Sequence, residues 1–397
     1  MLSKTPDSDG KLMWRLLRRA LVLLALLVSS VMFLVVSTPQ GQAAASALLF
    51  IPQVLPAIGV RPQSWVTRDP VRTQIEFPSS QGAGSADLYV PAGSGRHSAV
   101  LFFMGVVPPD RDERRIVRLA NGLARAGFVV MIPWLETQAT NRIVPDDIDR
   151  LVDAFLYLRS LDRVEPDRVG MGGICTGASM VTVASQDDRI RDQVSFINFF
   201  AGYYDAVDLV KSIGSRTRFY GDETRPWSPD SLTMELLTYH LIDGVSDPDD
   251  RALLNQVFVE NQRAASEVLT SLSVEGAAVY DLLSGADLDD VDAVIDQLSP
   301  ETKEFLRVIS PSTNIDRLEA RVLAMHDRGD RLVPSEESRR LVEAIGERGK
   351  PYHTEFSGFQ REIQVHVDES QSAGPLEYVR EAFKLFKHMY AIMREVS

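Results

Sequence analysis

The sequence predicts an α/β fold, a mostly parallel doubly wound sheet with an inserted helical cap. Two observations carry that prediction. From residue 86 onward, short apolar runs alternate with amphipathic stretches, joined by short connectors. That order means parallel strands with crossover helices on both faces. The alternation lapses between residues 216 and 308, where helical patterns follow one another without a strand, and it resumes at residue 321.

At the N-terminus, residues 20–36 (ALVLLALLVSSVMFLVV) carry no charge. The run is at the short end of what spans a bilayer. Lys4, Lys11, Arg15, Arg18 and Arg19 precede it, and no Lys or Arg follows before Arg61. By the positive-inside rule, residues 1–19 form a cytoplasmic tail and residues 20–37 a single-pass anchor in the cell membrane, with the remainder extracytoplasmic. The Ala43-Ala44-Ala45 run also has the form of a signal-peptidase site, so secretion after cleavage is the alternative. Residues 38–70 read as a linker or N-terminal arm, and the prolines within 48–63 argue against a long helix there.

The core elements follow in order. Residues 86–90 (ADLYV) form a strand closed by Pro91, and residues 98–104 (SAVLFFM) a strand buried on both faces. A helix spans 112–126, with Ile116, Leu119, Leu123 and Ala126 on one face and Gly127 after its end. Residues 128–133 (FVVMIP) form the next strand. Pro145, Asp146, Asp147 and Asp149 then open a helix to about residue 160, the acids suiting the positive end of its dipole. Strands at 168–174 and 193–200 precede the insertion, whose helices lie at 232–241, 251–272, 291–298 and 302–308. A strand at 321–326, a helix at 336–345, a strand at 352–356 and a helix at 376–394 complete the chain. Residues 71–214 and 309–397 thus make the core. Residues 215–308 make a cap over the C-terminal strand edge, where open α/β sheets bind ligands.

With 45% hydrophobic and 24% charged residues, the chain has the composition of a folded protein. Its net charge of −13 excludes nucleic acid as a partner, because phosphate affinity needs clustered Lys and Arg. A single cysteine excludes an intrachain disulfide and any thiolate metal cluster. The acidic run at Asp287, Asp289, Asp290 and Asp292 lacks the glycine a calcium loop needs at its sixth position, and reads as a solvated face. No cofactor and no metal is expected.

That cysteine stands in Gly172-Gly173-Ile174-Cys175-Thr176-Gly177-Ala178-Ser179, after a strand and before a helix. The segment contains G-x-C-x-G, the cysteine form of a nucleophile elbow. A sharp strand-to-helix turn needs small residues two positions either side of the nucleophile, and Gly173 and Gly177 supply them. The helix N-terminus aimed at the thiol favours thiolate. In the nucleophile, acid, histidine order of such elbows, the acid follows the strand at 321–326. There, His326-Asp327-Arg328-Gly329-Asp330-Arg331-Leu332-Val333-Pro334 resembles the acid turn of α/β-hydrolases, with Asp330 in the acid position and Asp327 as the alternative. The histidine belongs in the loop after the last strand, residues 357–374, which contains only His366. His353, in a strand, and His388, in the final helix, are structural, and His326 holds the acid turn.

Together with ADLYVP (86–91), LARAGFVVMIP (123–133), DRVGMGGICTGAS (167–179), FFAGYYD (199–205) and QVHV (364–367), these motifs resemble the dienelactone hydrolase family of α/β-hydrolases. The resemblance implies the α/β-hydrolase fold, a Cys-His-Asp triad of Cys175, His366 and Asp330, and cleavage of ester, lactone or thioester bonds through a covalent acyl-enzyme. The family's usual His-Gly after the second core strand is Met104-Gly105 here. Gly105 keeps an oxyanion hole built from the N–H groups of Val106 and Thr176. Met104, Tyr203 and Tyr204 are expected to line the site of a small acyl substrate. Two alternatives stand: a catalytically silent, membrane-tethered binding protein, and an acyltransferase.

Overall fold

The computed structural model describes residues 8–55, 58–106, 110–263, 269–357 and 374–395. At its centre is an eight-stranded sheet made from β1 (Val71–Ser79), β2 (Gly82–Val90), β3 (His97–Phe103), β4 (Val129–Trp134), β5 (Val164–Ile174), β6 (Phe196–Phe200), β9 (Arg321–Asp327) and β10 (Tyr352–Phe356). The spatial order is β1-β2-β4-β3-β5-β6-β9-β10. Only β2 runs against the rest, pairing antiparallel with both β1 and β4. The other pairings are parallel. This is the α/β-hydrolase arrangement expected from the sequence.

The strands bury both faces because neighbouring residues point to opposite sides. Leu101, Phe103, Val129, Met131, Met171 and Phe199 face one layer, covered by α5 (Asp146–Ser160), α6 (Thr176–Ala184) and α13 (Glu336–Ile345). Val100, Phe102, Val130, Ile132, Phe200 and Met325 face the other. That side is covered by α4 (Arg114–Arg125), the final helix α14 (Pro375–Glu395) and, against expectation, α2 (Pro39–Val54).

The arm at 38–70 is therefore largely part of the core. Thr38 caps α2 by accepting the Gly41 N–H, and Pro39 sits at the first helical position, where it lacks nothing the helix needs. Ala43, Ala47, Phe50 and Ile51 are buried. Pro52 falls in the last turn and gives up one backbone bond, toward the carbonyl of exposed Leu48. α2 begins where the strands begin: Gln42, Ala43 and Ser46 share a crevice with His97, Ser98, Glu165 and Arg168. Directly before α2 runs α1 (Ser8–Ser37), in which Met13–Val35 has none of its most apolar window buried. Among the described residues it is the one helix long and apolar enough to cross a membrane.

The insertion is mostly helical, with three departures from expectation. A hairpin, β7 (Thr217–Tyr220) and β8 (Glu223–Pro226), opens it. Of the helix read at 251–272, the first part is α9 (Pro248–Phe258), which Val259 ends, residues 264–268 lie outside the described ones, and α10 (Val274–Ser284), capped by Ser273, follows. The helix α7 (Ala206–Gly214), before the insertion, joins the cap cluster: Val210 and Ile213 pack with Leu241 of α8 (Ser231–Asp243), Leu282 and Val291. α11 (Val291–Asp296) and α12 (Pro300–Val308) complete the cap.

Candidate active site

Cys175 lies between β5 and α6 with φ 53° and ψ −129°, a backbone that an L residue adopts only when its surroundings impose it. The imposition is visible. The Cys175 N–H bonds the Phe200 carbonyl at the end of β6 (2.9 Å), and its own carbonyl accepts the Ala178 N–H (3.0 Å). The two elbow glycines are sterically required. A Cβ on Gly177 would stand 2.4 Å from the Phe103 carbonyl oxygen, and one on Gly173 2.5 Å from the Gly177 carbonyl. Gly177→Ala is therefore expected to destabilise the fold by about 3 kcal/mol or more, since the obstacle is backbone and cannot rotate away. Chemical denaturation of Gly177→Ala beside the exposed helical variant Lys387→Ala measures it.

The described surroundings of the thiol oppose the helix N-terminus. Burial pushes the Cys175 thiol up to about 12, and the charge of Asp330 pushes the same way; the hydrogen bond from the Thr176 N–H opposes both and is the smaller effect. The helix N-terminus thus acts in the expected direction but loses to desolvation.

Asp330 is buried, and its Oδ1 accepts the N–H groups of Leu332 (2.7 Å) and Val333 (3.2 Å). Asp327 instead closes its own turn by accepting the Gly329 N–H (2.8 Å). His326 does brace the acid turn. Its Nε2–H donates to the Val333 carbonyl (3.0 Å), its Nδ1 meets the Ser338 hydroxyl (2.6 Å), and Asp330 Oδ2 lies 3.5 Å from Nε2. The cap grips the same turn: the Trp227 indole donates to the Asp330 carbonyl (2.9 Å) and the Thr233 hydroxyl to the Leu332 carbonyl (2.9 Å). His388 is held by Asn198 Oδ1 (2.9 Å) and Thr354 Oγ1 (3.0 Å), a structural position. His366 lies outside the described residues.

Val106 and Thr176, expected to form an oxyanion hole, meet at the elbow, but not with two free donors. The Val106 N–H is bonded to the Thr176 hydroxyl (3.1 Å), so an incoming oxyanion has to displace that oxygen. Gly105, at φ 77°, makes the approach: a Cβ there would be 2.4 Å from Thr176 Oγ1.

Cys175 opens into a pocket beneath the cap, walled by Tyr203, Leu237, Phe305, Ile309 and Val333. Two residues expected in it are elsewhere. Met104 is buried on the α2–α4–α14 side, in a separate apolar cavity with Phe102 and Ile174, because its place after β3 turns it away from the thiol. Tyr204 packs on the opposite core layer, and its N–H donates to Glu337 Oε2 (2.9 Å). The pocket contains a residue the sequence did not single out, His240 of α8. Its one sequence signal is a polar residue amid Leu236, Leu237 and Leu241.

Glu337 anchors the loop after β6 by accepting the Tyr204 and Asp205 N–H groups (2.9 and 3.1 Å) and pairing with Arg340. Burial raises its carboxyl to about 7, with Arg340 opposing. The native state therefore holds a proton that the unfolded chain has released from about pH 4.5 upward. Stability should fall as pH rises through about 4.5 to 7 and level off above, by up to roughly 3 kcal/mol in all. Thermal unfolding across that window should show the slope, and Glu337→Gln should flatten it.

No protein-family model matches this chain, and no curated protein sequence matches it at a significant level. Solved structures of similar shape are hydrolases by their descriptions. A hyperthermophilic esterase from Pyrobaculum calidifontis is 12% identical over 89% of this chain and 92% of its own, with a TM-score of 0.46. A thermostable carboxylesterase cloned from a metagenomic library is 14% identical over 91% and 99%, with a TM-score of 0.45. An acylaminoacyl peptidase from Pyrococcus horikoshii is 12% identical over 81% of this chain, which spans 40% of that protein's length, with a TM-score of 0.45. The likeness concerns the fold alone.

Proposed function

We propose that this chain is a membrane-anchored carboxylic ester hydrolase, akin to the dienelactone hydrolases, with Cys175 as nucleophile. The observation that carries the reading is the strained elbow. A single thiol is held at φ 53° at the head of a helix, opens into an apolar pocket, and feels the carboxylate of Asp330. A fold tolerates such a backbone where it serves chemistry.

In the reaction, His366, oriented by Asp330, takes the proton from the Cys175 thiol. The sulfur attacks the acyl carbon, and the Thr176 N–H, with the Val106 N–H once the Thr176 hydroxyl yields it, holds the oxyanion. The imidazolium returns the proton to the leaving alkoxide, and a thioester remains. Water, deprotonated by the same imidazole, attacks the thioester and releases the carboxylic acid and the thiol. Esters, lactones and thioesters suit this sequence of steps. α1 joins the folded body through α2, whose first turns lie at the N-terminal ends of the strands, while Cys175 stands at the opposite end of β5.

The test is a panel of p-nitrophenyl esters and lactones on the full-length chain in detergent micelles. A stoichiometric burst followed by slower turnover is the expected result; release no faster than buffer ends the reading. One observation favours the second reading, a silent binding protein: the Val106 N–H is already engaged by Thr176. Transfer of the acyl group to an alcohol in place of water would show in the products.

A further inference from the structure

The pocket beneath the cap is apolar almost throughout, and its hydroxyls are engaged. Tyr203 Oη donates to the Ile309 carbonyl (3.3 Å) and Thr233 Oγ1 to the Leu332 carbonyl (2.9 Å). Apart from the elbow itself, the remaining polar side chain on its wall is His240. The state of that ring follows from its partners. The Ile143 backbone N–H donates to His240 Nε2 (2.9 Å), and a backbone N–H can only donate. Nε2 must therefore carry the lone pair, and the proton of the neutral ring sits on Nδ1. The ring plane is held against Phe305, with centroids 4.9 Å apart and 22° between planes. Burial, aided by Arg142 and opposed by Asp243, holds the ring's pKa at about 4, so it stays uncharged at neutral pH. No hydrogen bond from Nδ1 forms among the described residues.

We propose that His240 is a specificity-determining residue whose Nδ1–H binds an oxygen acceptor on an otherwise apolar acyl group, making the substrates esters or lactones of bulky hydrophobic acids that carry a keto or ether oxygen. The proposal rests on the hydrolase reading for the bond cleaved, but not for the ligand bound. A second carboxylate is disfavoured as the acceptor. The ring is neutral, the walls offer no cation, and the nearby Asp330 is an acid.

The matched probes are p-nitrophenyl phenylbutyrate and p-nitrophenyl benzoylpropionate, which differ by one methylene exchanged for a keto group. The full-length chain in detergent should favour the keto ester by roughly five- to tenfold in kcat/KM, the worth of one neutral hydrogen bond. His240→Phe keeps the stacking on Phe305 and should bring the ratio to one or below. His240→Gln can accept from Ile143 and still donate, and should restore part of the preference. A merely structural role would lower both substrates and leave the ratio unmoved. Calorimetric binding of the corresponding amides, phenylbutyramide and benzoylpropionamide, reads the same ratio without chemistry. If neither ester turns over but the amides keep a His240-dependent ratio, the hydrolase reading fails and this one stands. No keto preference in the native chain, or one that survives His240→Phe, overturns it.

Discussion

Cys175→Ala in the full-length chain is expected to reduce ester release to the uncatalysed rate, a loss of at least about a thousandfold in kcat. Removing the nucleophile leaves only binding and the oxyanion donors, and here those donors are partly engaged by the Thr176 hydroxyl. The fold should survive. Alanine keeps the Cβ that cysteine places at φ 53°, so the elbow carries the same strain, and the sulfur's loss opens onto the pocket and leaves no sealed void. The melting temperature should move by no more than a surface substitution moves it. Full turnover in Cys175→Ala would transfer the chemistry to another residue or refute it.

His366→Ala should expose how strongly the site resists ionising the thiol. Burial and Asp330 together push Cys175 to about 12, far above an ordinary thiol near 8.5. An imidazole between sulfur and carboxylate changes the balance, because an imidazolium neutralises Asp330 and attracts the thiolate. In the native chain, iodoacetamide labelling should follow an apparent pKa well below about 8.5. In His366→Ala the same labelling at neutral pH should slow by at least about a hundredfold, with its midpoint shifted up toward the value the buried site imposes. Asp330→Asn in the same background should recover part of the rate by removing the repelling charge. A native thiol already as sluggish as the variant would point to the silent binding protein.

Where sequence and structure agree, the determinant is local. β3 and β4 were legible because strands buried on both faces must be apolar at every position, and α13 and β10 because their periodicity is unbroken. The elbow was legible for the same reason: Gly173 and Gly177 are needed by neighbours a few residues away. β1 and the β7–β8 hairpin were not. β1 has mostly exposed side chains and exists by pairing with β2, and β7–β8 is a short hairpin on the cap surface. α2 was masked by Pro52, a local objection that burial of Phe50 and Ile51 against α4 and α14 overrides.

Within the chain itself lay the order of the elements, the sharp turn at the only thiol, and the apolar run ahead of the folded body, since each depends on residues adjacent in sequence. Tertiary structure alone decided that desolvation outweighs the helix dipole at Cys175, that Thr176 engages the Val106 N–H, that Met104 turns away from the pocket, and that His240 enters it with its proton on one nitrogen. Those outcomes depend on which distant segments exclude water or supply a hydrogen-bond partner. Neither a pattern of spacings nor a propensity records that.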